Sequence, residues 1–192
     1  MNLIIFGPPG AGKGTQANFI VKRYNLLQVS TGNILREEIK NKTEIGQKIS
    51  SLMSSGSLVD DKIVNKLIED IVSDRKYENK FIFDGYPRNL DQANNLDILL
   101  KKYDQKIDIV LKLSVSLETI KKRIFERKTI ESRADDHEEI AIRRYKTYEN
   151  NIKPVIDFYK QSNLLSVVNG EATISEISNE ISGLIEAIKG WH

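Results

Sequence analysis

The sequence predicts an α/β fold: a five-stranded parallel sheet with helices on both faces. Three observations lead there. Short β-rich runs recur along the chain, at Leu3 to Phe6, Leu27 to Ser30, Phe81 to Asp84, Ile109 to Leu113 and Leu164 to Val168. Longer stretches with helical spacing separate them, the alternation expected of a parallel sheet. The first run ends in Gly7-Pro8-Pro9-Gly10-Ala11-Gly12-Lys13-Gly14-Thr15-Gln16, a glycine-rich loop where a strand must turn into a helix.

That loop reads as a phosphate cradle. Small residues let its backbone N–H groups approach an anion closely, and Lys13 neutralises bridging oxygens. The fold class sharpens accordingly to the three-layer P-loop NTPase type, with a nucleotide as expected ligand. One feature departs from the strict motif. Gly14 stands between Lys13 and the hydroxyl residue, so Thr15 comes one position late, which puts its usual part as a metal ligand in question.

The remaining elements follow in order. About fifty residues separate Ser30 from Phe81, more than a single crossover of roughly a dozen or slightly more requires. The part from Ser30 to Val59 reads as two or three short helices broken at Gly32, Gly46 and Gly56. After the fourth run, Leu117, Ile120 and Ile124 follow a Ser116 cap. Near the end Ile174, Ile177, Ile181, Leu184 and Ile188 follow a Thr173/Glu176 capping box. Between these helices, the polar piece Glu126 to Asp136 reads as a short flap ahead of a long helix through Tyr145, Tyr148 and Ile152. The expected organisation is one domain over 1–192, with core segments 1–29, 60–125 and 137–192. A nucleoside monophosphate-binding insert fills 30–59 and a short lid fills 126–136.

Composition bounds the function. The 192 residues are 40% hydrophobic, and 29 Lys and Arg balance 27 Asp and Glu to a net charge of +2, which by itself points to neither a nucleic acid nor a membrane partner. There is no cysteine, which excludes disulfides and thiolate zinc sites and fits a reducing compartment. No apolar run approaches the roughly 18 residues of a membrane span, and residues 1–6 read as a strand rather than a signal peptide. The expectation is a cytoplasmic protein. Only His137, read as capping or solvating the flap helix, and His192 at the chain end carry imidazole.

Polar clusters after the strand ends carry the chemistry, as expected at the carboxyl edge of an open parallel sheet. Asp84 ends the third run, where it would orient Mg²⁺ directly or through water; the alternative is a turn or helix cap. In Gly85-Tyr86-Pro87-Arg88, the glycine allows close approach and Arg88 suits a bidentate bond to phosphate. Arg123 and Arg127 share a helix face, and Arg133, Arg143 and Arg144 follow across the flap. Phosphoryl transfer spreads negative charge over equatorial oxygens and needs cationic stabilisation, which arginine supplies; for Arg143 a solvated helix face serves equally well. Thr31 and Arg36, with Met53, Ser57, Leu58 and Val59, suit an acceptor nucleotide, although Thr31 could be a helix cap and the apolar residues could simply pack.

These motifs resemble, in order and spacing and over essentially the whole chain, the bacterial adenylate kinases of the short-lid form. The segments are Gly7 to Gln16, Ser30-Thr31-Gly32 with Arg36, Asp84 to Arg88, and Arg133 to Asp136 with Arg144. Gly14 is explained, since that family carries a glycine after its loop lysine. The resemblance implies reversible transfer, ATP + AMP = 2 ADP, with Mg²⁺ and without zinc, by a monomer acting in adenine nucleotide homeostasis and salvage. It implies that Gly10, Ala11, Gly12, Lys13, Gly14 and Thr15 bind ATP phosphates, with Arg123 and Arg127 on the ATP side and the Ala172 backbone beside adenine. It implies that Thr31, Arg36, Ser57, Leu58, Val59, Gly85, Tyr86, Pro87, Arg88, Gln92, Arg133 and Arg144 hold AMP. Lys13, Arg88, Arg123, Arg127, Arg133 and Arg144 would be catalytic.

Asn33 stands where the family usually has Asp, Tyr86 where it usually has Phe, and Ser57 where it often has Lys. The nearest alternative is a UMP/CMP kinase of the same fold, whose members typically carry Ala and Asn at the positions of Thr31 and Gln92. An alternative of another class, a non-catalytic P-loop nucleotide-binding module, has no need of a second set of phosphate-directed arginines.

Overall fold

The computed structural model describes residues 1–131 and 138–188, without the side chains of 127–131 and 138. The side chain of Arg127, and Arg133, His137 and His192, lie outside the described residues. Five strands, β1 (Leu3–Phe6), β2 (Leu27–Ser30), β3 (Phe81–Asp84), β4 (Ile109–Ser114) and β5 (Leu165–Asn169), form one sheet in the order β2-β3-β1-β4-β5. Every neighbouring pair is parallel. The expected strands therefore form, displaced by a single residue at the end of β4 and at both ends of β5.

Alternation along β1 builds the layers. Leu3 and Ile5 face one side, where Ala17 and Ile20 of α1 (Lys13–Tyr24) meet Ile177, Ile181 and Ile185 of α8 (Ile174–Glu186). Ile4 and Phe6 face the other side. There they meet α4 (Asp61–Val72), α5 (Leu90–Lys102) and α7 (Glu138–Gln161) through Val64, Ile68, Leu96, Leu100, Val155 and Tyr159. A strand covered on both faces reads as a continuous apolar run, as Leu3-Ile4-Ile5-Phe6 does. Thr173 caps α8 in the expected reciprocal box with Glu176, and the Ser116 hydroxyl accepts from Thr119 N–H at the start of α6 (Leu117–Glu131).

Between β2 and β3 lie α2 (Thr31–Lys40), α3 (Glu44–Ser54), α4 and a 3₁₀ turn at Arg75–Tyr77. Two expected breaks are not breaks. Gly32 lies inside α2 and Gly46 inside α3; the chain turns instead at Asn41 to Thr43, where the Thr43 side chain accepts from Gly46 N–H at 3.0 Å. Gly46 is there for close approach, since a Cβ would come within 2.0 Å of the Glu38 carbonyl oxygen. Gly56 does break the chain, with φ at 76°. α6 also continues through Arg127 to Glu131, past the expected flap boundary at 126, because no glycine or proline interrupts that stretch. No described helix is long and apolar enough to cross a membrane.

Candidate active site

The carboxyl ends of β1, β2 and β3 open onto a cleft of about 770 Å³. On one wall, Gly12 adopts the left-handed conformation, φ 92°, and hands the chain to α1 at Lys13. Gly10, at φ 87°, lies so close to α6 that a Cβ would stand 3.0 Å from Ile124. Lys13 Nζ donates to the carbonyls of Gly7 at 2.7 Å and Pro8 at 3.0 Å, so the ammonium lies over its own loop. Gly14 and Thr15 are exposed in the first turn of α1 and line the cleft. Loop amides at a helix N-terminus with an ammonium above them form an anion-binding arrangement.

Across the cleft, Asp84 pairs in register with Ile5 of β1 and Ser30 of β2, and its Oδ2 accepts from Gln28 Nε2 at 3.1 Å. Thr31 is not a cap; its hydroxyl donates to Gly85 O at 2.8 Å. Arg88 Nε donates to the same carbonyl at 2.7 Å. Gly85 is favoured between them, because its φ of 77° strains other residues and a Cβ would lie a tight 3.1 Å from Thr31 Oγ1 and 3.3 Å from Arg88 Nη2. Arg36 donates to Asn33 Oδ1 at 2.5 Å. The Arg144 stem passes the Gly56 turn, its Cγ 3.0 Å from where a Cβ would be, and Arg143 holds that turn by donating to Ser55 O at 3.1 Å.

Burial, then the charges of Arg144 and Arg36, lower the Arg88 pKa to about 10 against the opposing pull of Asp84. Cations brought together at the base of a cleft suit an anion, whose charge offsets their mutual repulsion.

Arg123 donates to Ala11 O at 3.3 Å and to Gly170 O at 2.9 Å. It thus ties the glycine-rich loop to the turn before Ala172, which also lines the cleft. A smaller niche adjoins the Arg88 side, lined by Thr31, Leu35, Leu58, Val59, Val64 and Gln92. The side chains of two further expected residues have partners of their own. Ser57 is exposed, its hydroxyl 3.0 Å from that of Ser55. Tyr86 is fully buried, its hydroxyl donating to Asn65 at 2.7 Å and its pKa raised to about 12, chiefly by burial.

The family described as "Adenylate kinase" matches residues 5–164. The chain belongs to the adenylate kinase family. It is 42% identical over 212 residues to the adenylate kinase of Pelagibacter ubique, covering 97% of this chain and 100% of that one. The adenylate kinase of Leptospira biflexa is 43% identical over 179 residues, 93% and 96% of the two chains. That of Flavobacterium psychrophilum is 40% identical over 186 residues, 96% and 98%.

Several cleft residues escape a reading by motif. Thr147, Tyr148 and Asn151 line it, and the signal that could have found them is helical spacing from Arg144. Gln28 was legible as a polar residue inside an apolar strand. Among the described residues no cluster of three or more His, Asp or Glu could hold a metal by protein ligands alone. What the site offers is the buried Asp84 carboxylate close to the loop. Such a sparse oxygen set suits magnesium, which keeps most of its waters and takes its other ligands from phosphates.

Proposed function

We propose that this protein catalyses reversible transfer of the γ-phosphoryl group of Mg·ATP to AMP, giving two ADP. The observation that carries the reading is one cleft with two cationic ends, Lys13 and the glycine-rich loop at one and Arg36, Arg88 and Arg144 at the other. A nucleotide switch or a simple ATPase needs only the first. Membership of the adenylate kinase family supports the same assignment.

In this reading Lys13 and the amides of Gly10 to Thr15 hold the β- and γ-phosphates, and the turn at Ala172 borders the donor base. Arg36 and Arg88 fix the acceptor phosphate in line, while Thr31, Leu58, Val59 and Gln92 surround its base. Gly85 and the backbone of Tyr86 and Pro87 complete that wall. Arg123, Arg144 and, beyond the described side chains, Arg127 and Arg133 neutralise charge on the moving group, which is the main task in phosphoryl transfer. Asp84 would hold magnesium through water, and the ion would there offset charge on the β- and γ-oxygens. Segments 30–59 and 126–136 act as caps that exclude water as a competing acceptor. The enzyme works as a cytoplasmic monomer on small nucleotides, without a nucleic acid, membrane or zinc partner.

A coupled assay of ADP formation across an acceptor panel tests this. Turnover is expected with AMP and Mg·ATP together and not with either alone. Equal or faster turnover with UMP or CMP would assign the acceptor to pyrimidines instead.

A further inference from the structure

Gln92 faces the small niche with 2% of its surface exposed, and both ends of its carboxamide are engaged. Oε1 accepts from Arg88 N–H at 2.7 Å, and Nε2 donates to Asp61 Oδ1 at 2.6 Å. Neither partner admits the reverse, because a backbone N–H only donates and a carboxylate only accepts. The other oxygen of Asp61 accepts from Asn89 Nδ2 at 2.8 Å, and Asn89 Oδ1 in turn accepts from Gln92 N–H at 2.8 Å. The Asn89 amide is fixed as well, so both of its neighbours present donors to residue 61.

We propose that Asp61 is a positioning residue for acceptor specificity: by holding the Gln92 carboxamide in one orientation, it makes the acceptor end of the site favour a 6-aminopurine monophosphate over a 6-oxopurine one. The proposal rests on the reading above that Gln92 meets the acceptor base. Oε1 retains a second lone pair and Nε2 a second hydrogen. Together they match the amino donor and N1 acceptor of adenine. Hypoxanthine and guanine present the opposite pair, a carbonyl acceptor and an N1–H donor. Turning the amide to suit them would set Oε1 against the carboxylate and Nε2 against Arg88 N–H, two mismatches in a buried site. An unpartnered Gln92 would read either edge; Asp61 and the Arg88 N–H together remove the choice, and Asp61 is the half that a side-chain substitution can change.

The test compares kcat/KM for AMP and for inosine monophosphate, at saturating Mg·ATP, in wild type, Asp61→Asn, Asp61→Glu and Gln92→Leu. In Asp61→Asn the donor on Asn89 draws the new amide oxygen, which turns the new NH₂ toward Gln92 and removes one of the two mismatches that the reversed carboxamide meets, leaving only that with Arg88 N–H. The AMP-to-IMP preference is expected to fall about tenfold, mainly through the two KM values, as for loss of one buried hydrogen bond. Asp61→Glu, still an acceptor only, is expected to keep most of the preference. Each ratio is taken within one preparation, so a reduced folded fraction cancels. Should Asp61→Asn not fold, Asp61→Ala is read the same way, with a smaller fall expected. If the ratio is unchanged in Asp61→Asn but collapses in Gln92→Leu, the lock is overturned and base reading by Gln92 stands. If Gln92→Leu leaves the ratio unchanged, both are overturned.

Discussion

Arg88 shows what a single side chain does at this site. Its folded pKa of about 10 lies below the ordinary 12.5, so the unfolded chain holds that proton more tightly. The charged form therefore costs stability at every pH below about 10, and the cost fades as pH rises from about 10 to 12.5. Arg88 as a residue is half-buried and lines the cleft, which moderates the effect. Arg88→Met is expected to leave the melting temperature of the ligand-free protein equal or higher, while ADP formation falls about 10³-fold, the scale of a lost transition-state arginine. Inorganic phosphate should raise the melting temperature of the wild type by more than that of the variant, which keeps Lys13 and the glycine-rich loop. A drop of several degrees in the ligand-free variant would mean that the cation stabilises the fold. Gly14 makes the complementary case. A Cβ there would meet nothing within 4 Å, so no protein neighbour requires the glycine, and alanine is better in a helix by up to about 1 kcal/mol. Gly14→Ala is expected to keep or raise the urea midpoint yet raise KM for ATP about tenfold, because the methyl group intrudes where phosphate would sit. Unchanged KM for ATP would move the donor phosphates off this turn.

At the scale of elements, the helices between β2 and β3 depend on one close crossing. Thr43 caps α3 while its hydroxyl also bonds Glu38 at the end of α2, and Gly46 leaves room for the Glu38 carbonyl. Gly46→Ala forces backbone from backbone, an overpacking expected to cost about 1–3 kcal/mol in urea unfolding, with KM for AMP raised more than KM for ATP. A neutral result would mean that α2 and α3 separate at no cost. Glycine weakens helices, so the sequence alone suggests a break at Gly46, and spacing along one chain holds no information on what another helix places opposite it. The capping box at Thr173 was legible for the opposite reason, since its partners stand three residues apart.

At the scale of the molecule, two cores on opposite faces of the sheet carry stability while the cleft at the strand ends carries charge. Among the described residues no metal-binding cluster joins elements, and cysteine is absent. Chelation by EDTA is therefore expected to abolish ADP formation, restored by Mg²⁺, and to leave the melting temperature of the ligand-free protein unchanged. A fall in melting temperature on chelation would reveal a structural metal. Arg123 ties the glycine-rich loop to the β5–α8 turn, so the donor wall forms one unit.

The sequence by itself determined the five strands, the glycine-rich loop, the two local caps and the cationic residues destined for the strand ends. Each is written in spacing over a few residues or in a strict requirement for a residue type. Only the tertiary structure decided that Thr31 and Arg88 share the Gly85 carbonyl, that the Tyr86 ring turns into the core, that Arg123 grips two carbonyls, and that Asp61 meets Gln92 across thirty-one positions. Hydrogen bonds and close packing between distant segments depend on where the sheet order β2-β3-β1-β4-β5 brings them. That arrangement is a property of the whole buried core, and no single segment contains it.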